Sequence, residues 1–152
     1  MIRIPRPALD LLRRHGERTH PLESCGVLVG RVAAGDRLVS AVFPCANARR
    51  GDLRHRYEID PQDLLRIQRE AGARGEEIVG FYHSHPDGPA RPSATDLEEA
   101  QWLGCSFVIT GVVGGSAGET ASFLLAGLGP EDKRFVSEAL EVSPAGSAGP
   151  EG

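Results

Sequence analysis

The sequence predicts an α/β fold, in the form of an α+β mixed sheet flanked by helices. Three observations carry that expectation. Ile78-Val79-Gly80-Phe81-Tyr82 has the length and β-rich content of a buried strand. Asp60-Pro61-Gln62-Asp63 is a helix start, with aspartate as N-cap and proline at the first helical position. Around these, the segments run helix, hairpin, strand, helix, strand, helix, hairpin, the order of a sheet with helices laid against it.

The elements follow in turn. Pro7 to Arg18 is amphipathic with proline in its first turn, and reads as a helix. Cys25 to Val32 is a strand, and Ala34-Gly35-Asp36 turns the chain into a second one, Arg37 to Cys45. A basic loop over 46–56 leads to a short strand near Tyr57-Glu58-Ile59. The helix begun at Asp60 runs to about Ala73, with Leu64, Leu65 and Ile67 along it. After the apolar strand, a further helix starts at Ser93 and ends near Leu103-Gly104. Cys105–Val113 and Glu119–Leu125 form a hairpin around Gly114-Gly115, and a last helix spans Pro130 to Val142. Residues 1–142 are expected to make one catalytic domain, and the Ser-, Pro-, Ala- and Gly-rich residues 143–152 a flexible tail.

Composition narrows the class. A chain of 152 residues with 40% hydrophobic and 25% charged side chains is long and apolar enough to bury an ordinary core. The net charge of −4 gives no electrostatic reason to expect nucleic acid as a partner. No apolar run reaches the roughly 18 residues of a membrane span, and Met1 to Arg6 lacks a secretory-type apolar core, so the expected location is cytoplasmic. Cys25, Cys45 and Cys105 are too few and too scattered for a disulfide framework or a four-cysteine zinc site.

The chemistry concentrates in residues 83–96. His83 and His85, two apart on a strand, point to one face. Asp96 follows after a Gly- and Pro-rich turn. Two histidines and a carboxylate with a fourth position left for water are the ligand set of a catalytic zinc site. A bland reading competes for half of this: Ser93-Ala94-Thr95-Asp96 is also a capping box, in which Asp96 merely complements a helix start. Capping does not require the two histidines on the preceding strand. Ser84, between them, should face the other way and serve structure.

His83-Ser84-His85-Pro86, a spacer, and Ser93-x-x-Asp96, with Glu23-Ser24-Cys25-Gly26-Val27-Leu28-Val29-Gly30 upstream, resemble the signature of the JAMM (MPN-plus) metalloproteases. The resemblance covers roughly residues 5–127 and fills all five functional positions. It implies the JAMM/MPN fold, of cytidine-deaminase-like architecture, and one Zn2+ per chain held by His83, His85 and Asp96. It further implies that Glu23 is the general base and that Ser93 places its hydroxyl at the developing oxyanion. The implied reaction is hydrolysis of an amide or isopeptide bond after the C-terminal Gly-Gly of a ubiquitin-like protein. The chain resembles more closely the small bacterial members that act on ubiquitin-like sulfur carriers and release cysteine or a short extension.

Other readings are weighed against this one. A deconjugase of lysine-linked ubiquitin-like modifiers and a non-catalytic MPN-type interaction module remain open, as does a homodimer. A cytidine deaminase would need Pro-Cys-x-x-Cys beside its His-x-Glu, and that cysteine motif is absent. DNA-repair relatives with a similar motif carry an extra N-terminal helical segment, for which the stretch ahead of Glu23 is short. Cys25 is read as a small buried hydrophobe, with a reactive thiol as the alternative. His15, His20 and His55 are expected to be solvated. Arg49, Arg50, Arg54 and Arg56 form a solvated loop or else a docking surface for an acidic partner.

Overall fold

A computed structural model describes residues 1–144. Its order is β1 (Ile2–Pro5), α1 (Arg6–Thr19), β2 (Cys25–Ala33), β3 (Asp36–Cys45), α2 (Pro61–Ala73), β4 (Glu77–Pro86), α3 (Ala94–Glu99), β5 (Ser106–Val113), β6 (Ser116–Ala126), β7 (Arg134–Glu138) and β8 (Leu140–Ser143). The strands make one mixed sheet in the order β7-β6-β5-β4-β2-β3-β1-β8. Both expected hairpins form, each with a two-residue turn; Asp36, expected in the first turn, already pairs with Ala33. Ala34 and Gly35 have φ of 50° and 82°, and Gly114 and Gly115 have 58° and 87°. Positive φ at both central positions matches the twist of paired antiparallel strands.

The two faces of the sheet are buried separately. On one, α1 lays Leu9 and Leu12 against Ile2, Ile4, Leu28, Val79, Tyr82 and Val108. On the other, α2 brings Ile67 and Ala71 onto Val27, Val29, Phe81 and Phe107, with Trp102 and Leu97 packed beside them. Each face buries several aliphatic or aromatic side chains, at about 1.5–3 kcal/mol each. Central β4 is covered on both sides, so it reads as a continuous apolar run rather than an alternating one.

The sequence expectation fails at the C-terminal end. Residues 134–143 are two strands, not a helix. Val136 and Leu140 lie at helical spacing, but pairing partners outweigh that periodicity. Leu124, Leu125 and Ala126 of β6 take Val136, Phe135 and Arg134, and Ile2 to Pro5 of β1 take Leu140 to Ser143. Pro130-Glu131-Asp132, which resembles a helix start, is a turn in which Asp132 accepts from the amides of Leu128 and Gly129. Because β7 and β8 are separated by one residue, this segment joins the two ends of the sheet. A buried polar cluster sits at the junction. Arg37 Nη2 donates to Glu138 Oε1 at 2.9 Å, and the hydroxyls of Ser106 and Ser122 donate to Glu138 Oε2 at 2.6 and 2.8 Å.

Three smaller expectations also change. Residues 2–5, for which the sequence predicts no element, form strand β1 between β3 and β8, too short to show a period. Tyr57-Glu58-Ile59 is loop. Helix α3 stops at Glu99 instead of near Leu103, because Ala100 turns extended and inward. Lys133 donates to the carbonyls of Glu98 and Ala100 at 2.9 and 2.8 Å and so closes that end. Of the expected tail, Ser143 ends β8, and residues 145–152 lie outside the described residues.

Candidate metal centre

The antiparallel register between β2 and β4 assembles the site. Cys25 pairs with His83. One step earlier, the amide of Ser24 donates to Ser84 Oγ at 2.9 Å, and the amide of Ser84 donates to the Ser24 carbonyl at 3.2 Å. Continuing the register sets Glu23 across from His85, on the face that also holds His83. Ser84 serves structure from the opposite face, as expected.

Helix α3 supplies the carboxylate. Ser93 Oγ accepts from the Asp96 amide at 3.0 Å, and Asp96 Oδ2 accepts from the Ser93 amide at 2.8 Å. The capping box is therefore present, and it coexists with the second reading. Asp96 Oδ2 also lies 3.0 Å from His85 Nε2 and 3.3 Å from His83 Nε2. The two Nε2 atoms are 3.0 Å apart. Cap geometry aims the carboxylate at the imidazoles.

These three atoms fit a metal ion. His85 Nδ1 lies 2.8 Å from the Pro89 carbonyl, which can only accept, so Nδ1 carries a proton and Nε2 of the neutral ring presents its lone pair. Asp96 and His83 aim at the same point, and such a gathering of acceptors calls for positive charge among them. Tetrahedral ligands 2.0–2.1 Å from zinc are about 3.4 Å apart. The observed triangle of 3.0–3.3 Å matches that spacing within a few tenths of an ångström. His83, His85 and Asp96 are the group of ligating side chains found together among the described residues.

Electrostatics follows the geometry. Burial lowers the pKa of His83. Burial also opposes protonation of His85, but the bonds to Asp96 and the Pro89 carbonyl outweigh it, so the net direction is up. Asp96 is penalised by burial and yet held well below the usual carboxylate range by its bonds to both histidines. Glu23 is 3% exposed, and burial pushes its carboxyl up to about 8, with His85 pulling the other way. Its Oε1 is buried with no hydrogen-bond partner among the described residues. Ser93 is exposed, and its cap uses the oxygen only as acceptor.

A cavity of about 510 Å³ opens beside Asp96, walled by Tyr57, Ile59, Leu64, Phe81, Trp102 and Phe107. Tyr57 stacks on His83 with ring centroids 4.6 Å apart and planes 24° from parallel. Motif spacing did not point to Tyr57; its segment reads as strand, and only the loop's path brings it to the imidazole.

The remaining expectations sort as follows. Burial pushes the Cys25 thiol up to about 12, so it packs as a hydrophobe and is not a thiolate at neutral pH. Of the four loop arginines, Arg49 and Arg56 turn onto Glu99 of α3 at 3.1 and 3.7 Å. Arg50 and Arg54 remain exposed. Solvation holds for His55, which is exposed beside Asp52. His15 is instead half-buried, its Nδ1 2.6 Å from Tyr82 Oη, and His20 pairs with Asp87 at 3.0 Å.

Fold and site together define a protein of the JAB/MPN class. The family model for prokaryotic homologs of the JAB domain matches residues 5–125, and the chain belongs to that family. It is 43% identical over 89 residues to a desampylase from Haloferax volcanii, covering 59% of this chain and 62% of that protein. It is 37% identical over 111 residues to a probable TtuB-protein conjugate cleaving protease from Thermus thermophilus, covering 73% and 70%. A CysO-cysteine peptidase from Mycobacterium tuberculosis is 36% identical over 86 residues, covering 57% and 56%. The match thus spans less than two thirds of the desampylase and of the CysO-cysteine peptidase. Among solved structures, a protein from Desulfitobacterium hafniense has a TM-score of 0.80 at 28% identity, over 95% of this chain and 94% of that one. A JAB1/MPN domain protein from Archaeoglobus fulgidus has a TM-score of 0.56 at 19% identity, over 93% and 97%, which shows the shared fold. No helix among the described residues is long and apolar enough to cross a membrane.

Proposed function

We propose that this chain is a zinc-dependent peptidase that hydrolyses the amide bond after the C-terminal Gly-Gly of a ubiquitin-like sulfur carrier, releasing cysteine or a short extension. The observation that carries the reading is the convergence of His83 Nε2, His85 Nε2 and Asp96 Oδ2 within 3.3 Å, across the sheet register from buried Glu23. The relatives named for cleaving TtuB-protein conjugates and CysO-cysteine support peptidase chemistry on such carriers. A cytoplasmic location belongs to the same proposal.

Zinc held by His83, His85 and Asp96 would supply Lewis-acid polarisation of the scissile carbonyl and acidify water at neutral pH. Glu23, held up at about 8 by burial, would be drawn toward its ionised form by a cation at that centre and is the base of the site. It takes the proton of the attacking water and returns it to the leaving amine. Ser93 donates its hydroxyl hydrogen to the developing oxyanion while its oxygen continues to cap α3. The cavity beside Asp96, with aromatic walls and a charged rim that includes Arg56 and Glu99, offers room for the side chains of an extended tail.

The test is incubation with sulfur-carrier proteins bearing C-terminal extensions, read by intact mass spectrometry. Cleavage after Gly-Gly that a chelator blocks is the expected result. A second reading, cleavage of lysine-linked conjugates, is favoured by the names of the desampylase and of the TtuB-conjugate protease. Intact carriers alongside a cleaved lysine-linked conjugate would select it. No cleavage of either substrate by zinc-loaded protein would leave a non-catalytic interaction module.

A further inference from the structure

We propose that Tyr57 is a positioning residue for His83, its ring face orienting the imidazole where a hydrogen bond would ordinarily do so. This rests on His83 being a metal ligand. A ligating histidine usually donates its second ring N–H to a carboxylate or carbonyl, which fixes the ring's rotation. His85 does so, through Nδ1 to the Pro89 carbonyl at 2.8 Å. His83 does not: its Nδ1 is buried with no hydrogen-bond partner among the described residues, and the side chain is 1% exposed.

What lies against that ring is Tyr57. The 4.6 Å centroid separation and 24° interplanar angle are those of an offset stack. A ring held flat against a second ring cannot turn about its Cβ–Cγ bond without a clash, so Nε2 stays aimed at Asp96.

The loop that carries Tyr57 is itself tied down. Asn47 Oδ1 accepts from the Glu58 amide at 3.1 Å, and Asn47 Nδ2 donates to the Arg56 carbonyl at 3.0 Å. One side chain therefore holds the peptide groups on both sides of Tyr57. The Ala48 amide donates to the Glu58 carbonyl at 2.8 Å, and the Glu23 amide to the Leu53 carbonyl at 2.7 Å. Arg49 and Arg56 on Glu99 attach the same loop to the helix that bears Asp96. Residues 47–58 thus touch the strand entry of Glu23, the ring of His83 and the helix of Asp96. Asn47 acts on His83 through Tyr57.

The test is zinc affinity of the full chain, measured by competition with a chromophoric chelator on variants shown by thermal melting to be folded. Tyr57→Phe keeps the ring face and should bind within about twofold of the parent, whereas Tyr57→Leu should bind about tenfold more weakly. Equal affinity of Tyr57→Leu and the parent overturns the proposal. So does a loss in Tyr57→Phe as large as that in Tyr57→Leu, which would assign the effect to the hydroxyl. Should Tyr57→Leu not fold, Asn47→Ala takes its place, with weakened binding expected and unchanged binding overturning the proposal. A parent that binds no zinc defeats the functional reading instead. The stack is then read from the His83 ring protons of the metal-free chain, which the Tyr57 ring current shifts upfield in the parent and in Tyr57→Phe. No difference from Tyr57→Leu overturns it.

Discussion

Ser24 and Ser84 exchange two hydrogen bonds, amide to hydroxyl at 2.9 Å and amide to carbonyl at 3.2 Å, where β2 begins beside β4. This pair sets the register that carries Glu23, 62 positions before His85 in the chain, to the side of the sheet where the two imidazoles converge. Ser84 therefore aligns the site without facing it.

Metal content tests the ligand set. The parent should carry about one zinc, and His83→Ala and Asp96→Ala should each lose it, because two remaining donors do not make a stable protein zinc site. Undiminished zinc in either variant would exclude that residue as a ligand.

Glu23→Gln separates metal binding from turnover. Zinc should stay, while kcat falls by about 10²–10⁴. The same variant has a pH signature in chelated protein. The carboxyl is raised from 4.5 to about 8 on folding, so its stabilising contribution is complete below about 4.5 and is lost as pH rises toward 8. Stability of the metal-free parent should decline across that window more steeply than that of Glu23→Gln. Parallel curves would mean that the buried carboxyl does not resist ionisation.

Ser93→Ala removes two roles of one side chain. Loss of the cap should cost about 1 kcal/mol of stability. Loss of the oxyanion donor should lower kcat by about 10²–10³ at temperatures where the variant remains folded. A variant that is destabilised but fully active would leave Ser93 a cap alone.

Glu138 contributes to the acid limb of stability. Burial disfavours its charge, but the bonds from Ser106, Ser122 and Arg37 more than offset this and hold the carboxyl below its ordinary value. A depressed carboxylate contributes stability above its unfolded pKa and loses it as pH falls through the folded one. Melting temperature should therefore drop on acidification below about pH 4.5, and drop less in Glu138→Gln. At neutral pH that variant should be about 3 kcal/mol less stable, since Arg37 stays buried opposite a neutral partner. Equal melting temperatures at neutral pH would show that the pair contributes nothing.

Much of the site was legible without coordinates, because its parts are local. Two histidines two apart on a strand must share a face, and Ser93-x-x-Asp96 must start a helix. Turn chemistry at Ala34-Gly35 and Gly114-Gly115 is equally local, and both hairpins form where expected. Residues 134–143 are not legible in this way, because their apolar spacing suits a helix as well as a strand. The edges of β6 and β1, distant in sequence, decide between the two.

Local patterning thus determined the motif, the order of its strands and helices, and the residue types that converge on one point. The tertiary structure alone decided three things: that buried Glu23 lies near His85, that Tyr57 covers His83, and that Arg37 meets Glu138 where the sheet closes. Each joins residues 26 to 101 positions apart through register or loop path. Such placements follow from which surfaces pack together, and no short-range periodicity encodes that.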